Sequence, residues 1–461
     1  MKTKITLLVA ILFLSFNVIS AQSGQEEDMN SLSIFVEYAK AKNYDAAYGP
    51  WMELRKRNPK FNNAINIYGE RILKDKIKKS AGAEKVAFIN DLIKLYSERQ
   101  TNFASKTKKG EFMAKTCQLK YDNKKLLNIG KEELYNCFDA AYQADQKTFT
   151  NPKSLYTYFS LMVDLYDARK KTAQQLFNKY DDISEKIEFE IKNYTQKLNK
   201  YVAQGDEEIQ LSPKDARKVK SYNSYLKAYK LIVGSVDSKL GERANCENLV
   251  PLYNRDFEEF KNDGIWLQRA MNRMYAKECT DDPLFVKIVQ QKNMLEPNAS
   301  TAYYLGILKE KEGKWKEAVG YFNQAVDLET DSFDKAKRLS SLAGKYRKKG
   351  SYGQARSYYR KALAQNPSLG SAHLAIAQMY AKSAKNCGEG NFNQRAVYWL
   401  AIQEARKAGR VDSSLKKAVA NTIANYKAKV PTRGEIFSAG RAGEVIKIGC
   451  WIGRSITVPS L

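Results

Sequence analysis

The sequence predicts an all-α protein, an α-solenoid of stacked helical hairpins that ends in a small C-terminal β-hairpin. Small and apolar side chains recur at helical spacing through most of the chain, and one pattern of small and large residues repeats at a fixed interval. Only 10 prolines and 25 glycines occur among 461 residues, few for a turn-rich β protein. Hydrophobic residues make up 43% of the chain, which is enough to build buried cores and excludes a mainly disordered protein.

The N-terminal segment is typical of a secretory signal peptide over residues 1–21. Lys2 and Lys4 precede an uncharged run over residues 5–19, and Ser20-Ala21 supplies small residues at a cleavage site. The run is shorter than the ~20 residues that a membrane span needs, and no later segment is suitable for one. We therefore expect an exported protein, in the periplasm or at the outer membrane of a Gram-negative bacterium, or secreted. Cleavage lowers the net charge from +26 to +24.

The remaining chain divides by its sequence patterns into five regions. These are a degenerate helical region over residues 22–110, a divergent helical region over 111–297, repeats over 298–410, a capping helix over 411–430, and a Gly-rich tail over 431–461. In the divergent region, an apolar stripe from Ile183 to Tyr201 and a second one after Ser212-Pro213 predict two long helices. We expect them to form an antiparallel arm with the polar loop Gln204–Glu208 at its tip.

Six cysteines favour disulfides, because an exported chain meets an oxidising environment. The sequence does not fix their connectivity, but antiparallel hairpins place Cys117 near Cys137 and Cys246 near Cys279, and these pairings leave Cys387 for Cys450. Metal binding is the alternative, yet the chain has no CxxC spacing and a single histidine, His373. We expect no metal site and no cofactor.

The repeats carry the main signal for fold and function. The first copy has Ala302, Leu305-Gly306, Gly313, Trp315, Ala318, Phe322 and Ala325; the second has Leu342-Ala343, Tyr346, Gly350, Ala355, Tyr359, Ala362 and Pro367; and the third has Ile376-Ala377, Tyr380, Ala396, Leu400 and Ala405. This spacing resembles the tetratricopeptide repeat, a helix-turn-helix unit of about 34 residues. The resemblance implies a right-handed superhelix over residues 298–410, with weaker copies upstream from Ser31.

The resemblance also implies a binding groove, because fixed positions of each first helix line the concave face in this family. The corresponding residues here are Tyr303, Ile307, Glu310 and Lys311 in the first copy, Lys337, Ser340, Arg347 and Lys348 in the second, and Leu374, Gln378 and Lys382 in the third. Such a cationic lining suits a protein or peptide partner with an acidic segment. A solvated lysine face without a dedicated ligand is the plainer interpretation.

The C-terminal region is predicted to close the repeats. Leu415, Val419, Ile423 and Tyr426 mark the capping helix, and the glycines after Pro431 are expected to break any further helix. Residues 445–448 and 455–458 are rich in β-branched residues and predict the hairpin. Its Cys450-Trp451 favours a tail fastened across the third repeat over a strand offered to a partner.

Catalytic signals are weak throughout the chain. No phosphate-binding GxxxxGK[ST] or GxGxxG sequence occurs, and the SxxK spacing at Ser413–Lys416 lacks its companion motifs. Acidic pairs such as Glu258-Glu259 and Asp281-Asp282 are usual on solvated helix faces. Export argues against nucleic acid as a partner of so basic a chain, while contact with an anionic envelope surface stays open.

We therefore expect a non-catalytic exported scaffold or adaptor that binds partner proteins in the cell envelope. The resemblance implies such a role, for example in secretion or outer-membrane assembly. The alternative is a binder of envelope polysaccharide or cell wall with hydrolase activity.

Overall fold

The computed structural model describes residues 24–202 and 210–461, so the predicted signal peptide and the tip of the arm at Gln204–Glu208 lie outside the described residues. The described chain is mainly helical, with one antiparallel two-stranded sheet, which confirms the predicted fold class. It forms two compact units that divide between residues 183 and 184, inside the helix Ala173–Asn199.

The helices are numbered in chain order. They are α1 (24–40), α2 (Tyr44–Arg57), α3 (Ala64–Lys79), α4 (Gly82–Asn102), α5 (Lys109–Asp122), α6 (Lys124–Leu127), α7 (Lys131–Ala144), α8 (Pro152–Asp167), α9 (Ala173–Asn199), α10 (Pro213–Leu240), α11 (Cys246–Phe260), α12 (Gly264–Ala276), α13 (Pro283–Leu295), α14 (Ala299–Lys311), α15 (Trp315–Leu328), α16 (Ser332–Lys348), α17 (Tyr352–Gln365), α18 (Gly370–Lys382), α19 (Ala384–Cys387), α20 (Gly390–Val411), α21 (Lys416–Lys427) and α22 (Arg433–Ser438). The strands are β1 (Val445–Ile448) and β2 (Arg454–Thr457).

The first unit packs its helices around large aromatic side chains. Trp51 of α2 is fully buried, and its indole nitrogen donates a hydrogen bond of 2.8 Å to the carbonyl oxygen of Ile65. Gly69 of α3 lets this ring approach, because a Cβ atom there would lie 2.6 Å from Trp51 Cζ2. The small residue and the large one thus fix how closely α2 and α3 pack, as the upstream copies of the repeat pattern predict.

The second unit contains the three clear repeats as consecutive helical hairpins, α14/α15, α16/α17 and α18/α20. The small residue that each second helix presents, Ala318, Ala355 or Ala396, is fully buried. Gly313 and Gly350 have φ angles of 75° and 76° and form the turns of the first two hairpins, a conformation that favours glycine. The glycine turns and the buried alanines therefore both stabilise these hairpins.

Side-chain caps mark where the repeat helices begin. Asn298 and Thr301 form a reciprocal capping box at the start of α14. The carboxylate of Asp331 accepts hydrogen bonds from the backbone N–H groups of Phe333 and Asp334 at the start of α16. These caps satisfy backbone donors that have no partner within the helix.

The structure contains the disulfides Cys117–Cys137, Cys246–Cys279 and Cys387–Cys450, with Cα–Cα separations of 5.7, 5.4 and 5.3 Å. The first two are the pairs that hairpin geometry predicts, and the third joins the two cysteines that those pairings leave. The first joins α5 to α7, and the second joins the start of α11 to the segment after α12. The third joins the end of α19 to the C-terminal hairpin.

The C-terminal tail packs against the second and third repeats. The Trp451 ring lies 5.6 Å from the Tyr352 ring and 5.4 Å from the Tyr380 ring, and its indole donates to Ser383 Oγ at 3.0 Å. Arg356 donates to the Ile452 carbonyl oxygen at 2.5 Å. The tail is therefore fastened to the repeats by packing, hydrogen bonds and a disulfide.

One expectation for the tail was wrong. The glycines after Pro431 do not abolish helix, because residues Arg433–Ser438 form α22. Thr432 and Glu435 make a capping box at its start, and the buried Ile436 anchors it. These interactions outweigh the weak helix propensity of Gly434.

Candidate binding face of the repeats

The residues predicted to line the groove lie on α14, α16 and α18 but differ in accessibility. Lys311, Lys337, Arg347, Lys348, Gln378 and Lys382 are exposed, whereas Tyr303, Ser340 and Leu374 are partly buried. Ile307 is buried, with 6% of its surface exposed. A partner therefore meets mainly the polar members of the predicted set.

Helix α9 contacts the beginning of the predicted groove. Glu188 of α9 forms an ion pair with Lys337. Lys192, one turn further along α9, contacts Asp331 at 2.8 Å and Asp334 at 3.2 Å at the start of α16. Helix α9 of the same chain thus engages a lysine that the repeat pattern places in the groove.

The contact between α9 and the repeats continues to the third hairpin. Asn199 Oδ1 accepts a hydrogen bond of 3.2 Å from the backbone nitrogen of Ser368, just before α18. Near the far end of that hairpin, Lys230 of α10 contacts Asp412 at 3.2 Å and Ser414 Oγ at 3.4 Å. The helices of the predicted arm therefore lie against successive repeats.

The two carboxyl groups that pair with Lys192 have pKa values shifted in opposite directions. Burial raises the pKa of Asp334, and Lys192 only partly offsets that effect. At Asp331 burial also raises the pKa, but hydrogen bonds from Lys192 and from backbone N–H groups outweigh it and hold the pKa below its usual value. Asp331 therefore serves Lys192 as a stable anionic partner.

Tyr303 takes part in an internal hydroxyl network. Its hydroxyl oxygen lies 3.2 Å from that of Tyr275 and 2.8 Å from Ser341 Oγ. Burial and the contact with Tyr303 raise the pKa of Tyr275, so its hydroxyl stays protonated and hydrogen-bonded. The aromatic residue predicted at one end of the groove thus joins α12, α14 and α16.

Lys311 of the first repeat pairs with residues that precede the repeats. Its ammonium group contacts Thr280 Oγ1 at 2.5 Å and Asp281 at 2.6 Å, in the turn between α12 and α13. This contact removes part of the positive charge predicted at the first copy. It also gives Asp281, weighed as a member of an acidic pair, a structural role.

A cationic row remains at the ends of the next two first helices. We use this name for Arg347 and Lys348, in the last turn of α16, and Lys382, in the last turn of α18. All three are exposed, and among the described residues no carboxylate pairs with any of them. Arg347 donates to Gln378 Oε1 at 3.3 Å, which connects the two helices. Cations at helix C-termini are favourably placed relative to the helix dipole.

His373 has a structural environment. Its Nδ1 lies 2.8 Å from Glu404 Oε2, and Arg360 contacts the other oxygen of this nearly buried carboxylate at 3.2 Å. Burial raises the pKa of Glu404, but His373, Lys407 and Arg360 outweigh it and hold the pKa below its ordinary value. Through these contacts the Glu404 carboxylate of α20 connects α17 and α18.

Two further features bear on function. Within the part of the chain that the structure describes, no group of three or more His, Cys, Asp or Glu side chains is arranged to hold a metal ion. None of the helices in residues 24–202 and 210–461 has the length and apolar character for a membrane crossing.

The chain is similar in sequence to curated assembly proteins, although no protein-family model matches it. It is 27% identical to the photosystem I assembly protein Ycf3 of Prochlorococcus marinus strain NATL1A over 156 residues, which cover 31% of this chain and 90% of that protein. It is 31% identical to Ycf3 of Cyanophora paradoxa over 107 residues, or 21% of this chain and 62% of that protein.

Solved structures with partial similarity include a tetratricopeptide repeat protein from Parabacteroides merdae, with 10% identity, coverage of 66% of this chain and 93% of that chain, and a TM-score of 0.26. Human IFIT1 with m7Gppp-AAAA has 15% identity, coverage of 80% and 74%, and a TM-score of 0.30. Yeast Tom70 has 10% identity, coverage of 90% and 83%, and a TM-score of 0.26.

Proposed function

We propose that this chain, whose helical hairpins resemble tetratricopeptide repeats, is a non-catalytic adaptor that holds an acidic segment of a partner protein against its cationic row. The observation that carries the proposal is the exposure of Arg347, Lys348 and Lys382 without a carboxylate partner among the described residues. These side chains lie at the ends of adjacent first helices, and Arg347 is held towards the next helix by Gln378.

The chemistry of the row favours carboxylates. Guanidinium and ammonium groups form charge-assisted hydrogen bonds with carboxylates, which are stronger than bonds between neutral groups. The chain already uses this chemistry on the same helix, where Glu188 of α9 pairs with Lys337. Because α9 engages the start of α16, the end of that helix is the better place for a partner.

The similarity to curated proteins supports an adaptor role. The matched relatives are named as assembly proteins of photosystem I, and the match covers about a third of this chain. We propose a partner within the bacterial cell envelope, in secretion or outer-membrane assembly.

Export is part of the same proposal. It is supported by the signal-peptide pattern of residues 1–21 and by three disulfides, which persist in oxidising compartments. Purification from the envelope fraction followed by N-terminal sequencing tests it. We expect a mature chain that begins after Ala21; an uncut chain in the cytoplasm, with six free thiols, contradicts the proposal.

The binding proposal is tested by reversing charge at the cationic row. We expect Arg347→Glu combined with Lys348→Glu to abolish co-purification of a crosslinked partner from intact cells, read by mass spectrometry. The matched control combines Lys316→Glu with Lys361→Glu, exposed residues of the second helices α15 and α17, and should keep the partner.

Two outcomes contradict this function. One is equal loss of the partner in both double variants, which means that net charge rather than the row drives the association. The other is capture of cell-wall glycan instead of protein, unaffected by either variant, which favours the polysaccharide-binding alternative.

A further inference from the structure

A cleft lies between α20, the second helix of the third repeat, and the capping helix α21. Its volume is about 660 Å³. It is lined by Gln403, Arg406, Lys407, Gly409 and Arg410 of α20 and by Lys416, Val419, Ala420 and Ile423 of α21. None of the lining residues is acidic.

The position of the cleft follows from the order of the helices. In each clear repeat a first helix is followed by a second helix that packs along it, as α16 is followed by α17. Helix α21 packs along α20, and the helix after it, α22, has only six residues. Among the described residues no long second helix therefore follows α21, and the cleft flanks it.

The tail does not fill that position, because it crosses the other end of α20. Arg395, near the start of α20, donates to the carbonyl oxygens of Lys429 at 3.1 Å and Val430 at 2.8 Å. Arg441 of the tail donates to Asn393 at 2.8 Å. The half of α20 that includes Arg406 and Arg410 lies beyond these contacts.

The two walls of the cleft have different chemistry. On α20, Arg406 and Arg410 follow one another at a spacing of four residues, so they share one face of the helix, and both are exposed. On α21, Val419 and Ile423 share a face in the same way, and Val419 is only 5% exposed. One wall is cationic and the other presents a recessed apolar strip.

We propose that this cleft docks an acidic amphipathic helix of a partner protein, which packs against α20 and α21. Carboxylates on one face of that helix pair with Arg406 and Arg410. Apolar side chains on the adjoining face pack on Val419 and Ile423. A helix laid in a groove between two others is a recurrent mode of recognition, read by residues one helical turn apart.

The recessed apolar strip favours a helix over a membrane surface as the occupant. An anionic bilayer meets cations that project from a convex or flat face, whereas the lining of this cleft includes the largely buried Val419. The site is separate from the cationic row, which lies on α16 and α18. Its occupancy is therefore measured independently of the function proposed above.

The test uses the oxidised mature chain and a fluorescein-labelled helical peptide of about five turns, with Glu on one face and Leu and Ala on the other. Fluorescence anisotropy should show saturable binding, and Arg406→Glu combined with Arg410→Glu should weaken it at least ~10-fold. Lys417→Glu combined with Lys427→Glu, exposed on α21 outside the cleft, makes the same change in charge and should have little effect.

A second variant tests the cleft without changing charge. Ala420→Trp fills it and should weaken binding, whereas Ala418→Trp, exposed on the same helix outside the cleft, should not. Arg347→Glu with Lys348→Glu should leave peptide binding unchanged. The proposal is overturned by absence of binding, by equal binding of a scrambled peptide, by equal effects of both Trp variants, or by phosphatidylglycerol vesicles that compete at the cleft.

Discussion

The close approach of helices in the first clear repeat can be tested at Gly306. A Cβ atom at this position would lie 2.6 Å from Cε1 and 2.7 Å from Cδ1 of the buried Phe322 ring, and 3.2 Å from the carbonyl oxygen of Ala318. Gly306→Ala must therefore displace a packed ring or separate α14 from α15. Gly320, in the middle of α15, has no atom within 4 Å of the same added Cβ and serves as the matched control.

The two variants share their gain in helix propensity, which is about 1 kcal/mol for Gly to Ala. Overpacking a core with one methyl group costs about 1–3 kcal/mol. Gly320→Ala should therefore stabilise by up to ~1 kcal/mol, and Gly306→Ala should be less stable than it by about 1–3 kcal/mol. Urea unfolding of the oxidised chain, followed by far-ultraviolet circular dichroism, measures the shift in midpoint. Equal stabilisation by both changes refutes the packing of Gly306 against Phe322.

Three further changes probe other contacts. Trp451→Ala should loosen the tail, which the Cys387–Cys450 disulfide still tethers, and cost roughly 1–3 kcal/mol, seen as faster proteolysis after residue 447 while the repeats stay intact. The pKa of Glu404 is lower in the folded chain, so the stabilisation by its carboxylate is present above the unfolded pKa of about 4.3 and is lost as pH falls through the folded pKa. Glu404→Gln should therefore lower the urea midpoint at pH 7, and the difference from the unsubstituted chain should narrow below pH ~4. A difference that stays constant with pH contradicts this. Lys192→Glu should repel Asp331 and Asp334 and speed hydrogen exchange in residues 185–199; unchanged exchange there speaks against the docking of α9.

The repeats were predictable from sequence because their packing is local. Ala318 and Ala355 lie 37 residues apart, and both are fully buried between the helices of their own hairpin. The pairing of Cys246 with Cys279 follows from the same logic, since both ends of a hairpin are set by the length of its helices. Contacts between residues that are close in sequence can thus be predicted from the spacing of those residues.

Which residues of the binding face are already paired within the chain was not predictable in the same way. Lys337 is assigned to the groove by its place in the repeat, but its partner Glu188 is far away in sequence, on a helix whose position depends on tertiary packing. The alternation of acidic residues with an apolar stripe on α9 was the available signal. Helix α22 differs from the sequence prediction because the capping box of Thr432 and Glu435 offsets the low helix propensity of Gly434.

Site-specific photocrosslinking in intact cells tests the cationic row most directly. A photoreactive residue in place of Lys348 should form adducts with a partner protein through a peptide rich in Asp and Glu, and the same residue in place of Lys361 on α17 should not. Identical adducts from both positions, or adducts with glycan alone, contradict the assignment of this face as the binding site.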